Sequence, residues 1–233
     1  MPSLPPAIDL HVRSRGDGQL VVGIHDLLTD GGGMMRALKP LTGKGFRVVA
    51  PDLRGHGDSP SPDGPWSIDD FASDIARIVA ARGGPAIVVG QGLGAAAALA
   101  LALGHPGLVS GLVLSGVGPR GEDPEGHERW MKVSRAFEER GLAGASHAAE
   151  AMANRPDWRG ALAQLDVPSV VIAGERDRAT PPEVQRELAV WLRNAGFQAV
   201  PTGHDVAAER PGILLAAVKH LVSAADRREA VAA

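Results

Sequence analysis

The chain has 233 residues, 44% of them hydrophobic and 22% charged, with a net charge of −3, which suits one α/β domain with a well-buried core. Its basic residues are scattered singly, so neither nucleic acid nor an anionic membrane is an expected partner. The absence of cysteine excludes disulfides, thiolate metal sites and a cysteine nucleophile.

Met1 to Pro6 offers neither a charged leader region nor a long apolar run. The longest apolar stretch, Ala95 to Leu103, is too short to span a bilayer. A soluble, cytoplasmic protein is the expectation. Ile8 to Val12 alternates with period two, Gly16-Asp17-Gly18 turns the chain, and Leu20 to Ile24 reads as a buried strand. Together these predict an opening β-hairpin. His25-Asp26-Leu27-Leu28 ends that strand, and Gly31-Gly32-Gly33 precedes a helix with Met34, Leu38 and Leu41 on one face.

Phe46 to Ala50 is the next strand, and it runs into the turn-rich segment from Pro51 to Ser59. Ser67 with Asp70 makes an approximate capping box for a helix whose Ile68, Phe71, Ile75 and Ile78 share a face. Ile87-Val88-Val89 then meets Gly90-Gln91-Gly92-Leu93-Gly94 and the helix-forming run Ala95 to Ala102. Strand, glycine turn and helix make the layout of a nucleophile elbow, G-x-S-x-G, with Gly92 at the central position. A dinucleotide-binding turn would need its third glycine one place later and an acid about twenty residues on. The segment from Leu108 to Leu112 supplies none.

Leu112 to Ser115 is a further strand, after which the pattern changes from Gly116 to about Leu165. Trp130, Val133 and Phe137 mark one helix there, and a second, Ala-rich helix is expected near Ala145 to Ala153. Pro168 to Gly174 returns to the sheet. A helix from Pro182 to Asn194, a short strand from Gln198 to Val200 and a final helix from about Asp205 to Ala225 follow. Strands alternating with helices predict a doubly wound, mostly parallel sheet of about seven or eight strands.

Four motifs now stand in order: the segment from Pro51 to Ser59, the elbow, Gly174-Glu175-Arg176-Asp177 after a strand, and Gly203-His204-Asp205 leading to Glu209-Arg210-Pro211. In sequence and spacing they resemble the α/β-hydrolase superfamily, notably its single-domain esterase-, lipase- and haloperoxidase-like members, from His11 to about Val222. The resemblance implies one domain over residues 1–233, with a short helical cap at about 120–165 above the carboxyl ends of the strands. It implies that Asp177 is the catalytic acid and His204 the catalytic histidine, with Gly92 standing where the nucleophile serine belongs. It also implies that Leu27 and Leu93 offer oxyanion-hole N–H groups, with Gln91 beside them in the pocket. His25-Asp26 stands where relatives carry His-Gly. A carboxylate there that pointed inward would repel a developing oxyanion.

Neither a cofactor nor a metal is implied, and the expected partner is a small-molecule substrate or ligand of a monomer or homodimer. Three functions are open. The first is non-covalent acid–base chemistry, in which His204, oriented by Asp177, acts as general base near neutral pH beside a space left open above Gly92. The second is a non-catalytic binding protein on the hydrolase scaffold. The third is a serine esterase whose nucleophile was changed to glycine, in which case a serine placed at position 92 restores turnover. Ser59 and Ser115 are minor candidates for a displaced nucleophile, and His56 is expected to tie down its loop.

Overall fold

The computed structural model describes residues 8–232, and their side chains as far as residue 227. Its strands are β1 (Val12–Arg15), β2 (Gln19–Ile24), β3 (Phe46–Pro51), β4 (Ala86–Gln91), β5 (Val109–Ser115), β6 (Ser169–Gly174) and β7 (Ala195–Val200). They form one seven-stranded sheet in the order β1-β3-β2-β4-β5-β6-β7. Every neighbouring pair is parallel except β1 with β3.

The central strands are buried on both faces, which is why they read as continuous β-branched runs rather than as alternating ones. Val21, Val48 and Val89 face helices α1 (Gly31–Leu38) and α9 (Pro211–Ala232), meeting Met34, Leu38, Leu214 and Val218. Val22, Val49 and Val88 face α2 (Ile68–Ala80), α3 (Leu93–Gly104) and α7 (Pro182–Trp191), through Phe71, Ile75, Leu99 and Leu188. The doubly wound α/β architecture expected from the sequence is the one observed.

Three local expectations need correction. The opening hairpin does not form, because β3 lies between β1 and β2, with Val12 opposite Pro51 and Gln19 beside Phe46. β2 is buried along all but its first residue and takes a parallel neighbour on each side, whereas half-exposed β1 suits a sheet edge. The three glycines do not precede α1 but open it. The Asp30 side chain caps the helix by accepting the Gly33 N–H at 3.1 Å, which offsets the weak helix propensity of glycine. The single helix expected after Asp205 is two, α8 (Val206–Glu209) and α9, broken at Pro211, whose nitrogen has no hydrogen to continue the ladder.

Between β5 and β6 the chain folds as α4 (Pro124–Glu138), α5 (Ala143–Ala153) and α6 (Arg159–Leu162), and these residues add no strand to the sheet. Asp123 caps α4 on the Gly126 N–H at 2.7 Å, with Pro124 at the first helical position. Phe137, Ala145 and Ala149 make a small core of their own, against which Trp130 and Leu27 pack. Leu27 belongs to the turn after β2, so these helices rest on the loop that carries Asp26. Among the described residues no helix is long and apolar enough to cross a membrane.

Candidate active site

The carboxyl ends of β2, β4 and β6 and the loop after β7 bring Asp26, Gly92, Asp177 and His204 together, as open α/β sheets do with their functional loops. Gly92 links β4 to α3 with φ +53° and ψ −115°, a left-handed turn that lets the helix start directly behind the strand. Every residue of α3 from Leu93 to Ala102 is buried, so its alanines seat the helix against the sheet and leave no freedom at the elbow.

Asp26 occupies the space above that elbow. A Cβ built on Gly92 would lie 2.6 Å from Asp26 Oδ2 and closer still to Oδ1 and Cγ. The two amides expected to form an oxyanion hole both donate to the same carboxylate oxygen. Leu27 N–H reaches Asp26 Oδ1 at 2.7 Å and Leu93 N–H reaches it at 2.8 Å. The residue is pinned through its backbone as well, since the Asp26 carbonyl accepts from Thr29 Oγ1 and from His25 Nδ1, each at 2.7 Å. His25 in turn accepts the Leu53 N–H at Nε2, 2.9 Å, so its proton sits on Nδ1. Burial holds the His25 pKa down at about 4, and the ring stays neutral.

His204 stands between two carboxylates. Its Nδ1 is 2.8 Å from Asp177 Oδ2 and its Nε2 is 3.1 Å from Asp26 Oδ2. The hydrogen bonds to Asp177 and then Asp26 outweigh burial and raise its pKa to about 10, so the imidazolium is the resting form at neutral pH. Asp177 is held by the N–H groups of Ala179 and Thr180, both at 2.9 Å, and by Gln185 Nε2 at 3.1 Å. Gly174 lets the Asp177 turn and the His204 loop meet at all, because a side chain there would collide with the Gly203 carbonyl.

These positions revise the sequence reading at its centre. The space above Gly92 is filled, not open. The second ring nitrogen of His204 faces Asp26, and the ring is charged rather than poised as a base. Asp26 points inward, but it forestalls an oxyanion by taking the oxyanion's own hydrogen bonds. A serine at position 92 would have no room while Asp26 stays. Gln91 lines the cavity beside Asp26, as expected, and also braces the histidine loop, donating from Nε2 to the His204 carbonyl at 2.7 Å. Ser59 is committed to the Asp52 carbonyl at 2.6 Å, and Ser115 is fully buried. His56 binds its own loop at the Arg54 carbonyl, 2.9 Å.

Gln185 escaped the sequence reading. It is completely buried on α7, donates to Asp177 and accepts the Gly116 N–H at 2.7 Å, tying the acid to the end of β5. The signal was available: Gln185 lies three residues before buried Leu188, so an amide occupies a core-facing helical position.

The two histidines set opposite pH limits on stability. His25 keeps a folded pKa of about 4 against an ordinary 6.5, so stability should fall as pH drops through that window, where only the unfolded chain takes up the proton. His204 is raised from 6.5 to about 10, so its contribution is complete below 6.5 and is lost as pH climbs toward 10. Urea midpoints measured across this range should show both limbs, and His204→Gln should flatten the alkaline one. An alkaline limb unchanged in that variant would remove His204 as its cause.

Comparison with known proteins agrees with this fold. Residues 21–218 match the family described as the alpha/beta hydrolase family. Lipase LipV of Mycobacterium tuberculosis is 39% identical over 110 residues, which are 46% of this chain and 41% of that one. The 2-(acetamidomethylene)succinate hydrolase of Mesorhizobium japonicum is 35% identical over 107 residues, 46% of this chain and 38% of its own. The structure of a thermophilic esterase from Thermogutta terrifontis superposes with a TM-score of 0.86 at 25% identity, covering 93% of each chain. The matched stretch thus spans about two fifths of the length of these two curated relatives.

Proposed function

The chain belongs to the alpha/beta hydrolase family, and from that premise we propose that it hydrolyses a small organic substrate through Asp26, His204 and Asp177 without a serine nucleophile. One observation carries this reading: the Asp26 carboxylate fills the space above Gly92 and bonds both oxyanion-hole amides and His204. Such a histidine begins the reaction as a proton donor, not as the base that activates a serine. Asp177 and Gln185 orient the ring and keep its charge. Helices α4 to α6 act as a short cap, a role supported by the packing of Phe137 and Trp130 against Leu27.

The test pairs labelling with turnover. A fluorophosphonate should leave the purified protein unlabelled, because no activated serine stands at the elbow. Hydrolysis of a panel of small esters, lactones and cyclic ethers should include at least one substrate whose turnover is lost in His204→Gln while its circular dichroism spectrum stays that of the folded parent. Stoichiometric labelling at Ser59 or Ser115 would overturn the reading.

A further inference from the structure

A cavity of about 690 Å³, a size typical of small-molecule sites, lies between helices α4 and α5 and the loops after β5 and β6. Ala179 and Thr180, whose N–H groups hold Asp177, form part of its wall, as does Gly116, whose carbonyl accepts from Thr180 Oγ1 at 3.1 Å. A Cβ built on Gly116 would lie 2.8 Å from His204 Cε1, so Gly116 is the wall that the cavity shares with the imidazole. Val117, Trp130, Met152 and Val184 supply an apolar lining. The charged lining is unequal, with Arg120, Arg129, Arg155 and Arg178 against Glu122 and Asp123. Both acids are engaged: Glu122 accepts from Arg155 Nη1 and Trp130 Nε1, and Asp123 caps α4. Arg120 and Arg129 pair with Glu187 and Glu125 in exposed contacts, which contribute little. The other two arginines have donors to spare. Arg155 has a side chain only 10% exposed, and its Nη1 is committed to Glu122 and to the Met152 carbonyl at 3.1 Å. Its Nε is buried without a partner, and its Nη2 has none among the described residues. Arg178, exposed directly after Asp177, makes no hydrogen bond or ion pair among the described residues.

A buried N–H without a partner is rare enough in a folded protein to need an explanation. The free Nε–Nη2 edge of Arg155 is the same edge that Arg54 presents to Asp74, at 2.8 and 3.0 Å. Its two parallel donors match the two oxygens of a carboxylate. Arg178 adds the one arginine in the wall that has no counter-charge, so a single negative charge suits the pair. Resting on the reading of the site above, we infer that this cavity is a carboxylate subsite and that the substrate is an organic acid. Arg155 and Arg178 hold its carboxylate, Trp130, Met152 and Val184 cover its hydrocarbon, and its reacting bond lies past Gly116 at His204. Selection comes from the donors rather than from size. An uncharged analogue of the same shape leaves the Arg155 edge unmet, and unpaired polar groups discriminate far more strongly than a missing methylene does.

The acid 3-phenylpropionate tests the subsite without any turnover. Calorimetry should find it bound at one site, with 3-phenylpropanamide, uncharged and of the same shape, at least about 10-fold weaker, as loss of one charge-assisted hydrogen bond implies. Arg178→Met and Arg155→Lys should each raise the Kd of the acid at least about 10-fold in proteins that keep the parent's circular dichroism spectrum. The lysine keeps a charge beside Glu122 but has no Nε–Nη2 edge. Turnover then ties the subsite to the reaction. Among compounds hydrolysed in a His204-dependent way, one bearing a carboxylate remote from the reacting bond should exceed its uncharged counterpart at least about 10-fold in kcat/KM. The gain should lie in KM, and Arg178→Met should erase it. No binding of the acid, equal binding of acid and amide, or acid binding unmoved by Arg178→Met would overturn the subsite. Arginine-dependent binding without any preference in turnover would overturn the substrate assignment while leaving His204 chemistry in place. Absence of His204-dependent turnover on every compound, with the acid still bound, would sink the function above and the substrate assignment with it, but not the anion site.

Discussion

Replacing two residues at once, Asp26→Gly with Gly92→Ser, is expected to produce serine-esterase activity that neither single change produces. Gly92→Ser alone sets its Cβ against the Asp26 carboxylate, 2.6 Å from Oδ2 and nearer to Oδ1. Asp26→Gly alone frees the Leu27 and Leu93 amides but leaves no nucleophile. Together they vacate the hole, supply the hydroxyl and release His204 from one of its two carboxylates, so its pKa should fall toward the range of a working base. Because loss of a triad serine costs on the order of 10⁶ in kcat in a protease, a gain of about 10³ over either single variant in fluorophosphonate-sensitive turnover of a p-nitrophenyl ester is a modest expectation. Position 92 has φ +53°, so the double variant should also lose about 1–3 kcal/mol of stability to backbone strain. A double variant that folds and is no more active than its parents would mean that the triad geometry is not otherwise intact.

The second large effect lies away from the site, beneath α2. Arg54 and Asp74 form a two-pronged pair at 2.8 and 3.0 Å, with side chains only 4% and 1% exposed. Burial raises the Asp74 pKa despite the guanidinium beside it, the mark of a pair whose desolvation is costly. Asp74→Ala should therefore lose about 3–5 kcal/mol in urea unfolding, because Arg54 keeps only the Asp70 carboxylate at 3.6 Å and the Asp70 carbonyl at 3.2 Å beside Trp66 and Phe71. Arg54→Met combined with Asp74→Leu should lose far less, within about 1–2 kcal/mol of the parent, since neither charge is then stranded. Equal losses in the two variants would show that the pair is worth its Coulomb attraction after all.

Where the sequence was legible, a short-range pattern carried the information. β4 and α3 could be read because β-branched residues, glycines and alanines change over within a dozen positions, and the Ser67–Asp70 capping box needed only three-residue spacing. The Asp177–His204 pair was legible through motifs that keep their order along the chain. β1 was misjudged because its pairing with β3 is decided by which strand tolerates an edge, a property of the whole sheet. The orientation of Asp26 stayed open for a related reason. Its partners are 67 and 178 residues away, and no local pattern says whether a carboxylate after a strand turns outward or folds back over an elbow. The charge on His204 follows from that one orientation and was hidden with it.

The collision between positions 26 and 92 also bears on how such a site arises. Glycine followed by serine, and aspartate followed by glycine, are each self-consistent pairs, yet every route between them by one change at a time passes through a defective protein. One intermediate is overcrowded and the other has lost its reacting group. Selection would see a valley between two peaks, so the two positions should be inherited as a unit. Among relatives that carry an acid after the histidine of the first loop, glycine at the elbow should be the rule, whatever the rest of the chain has become.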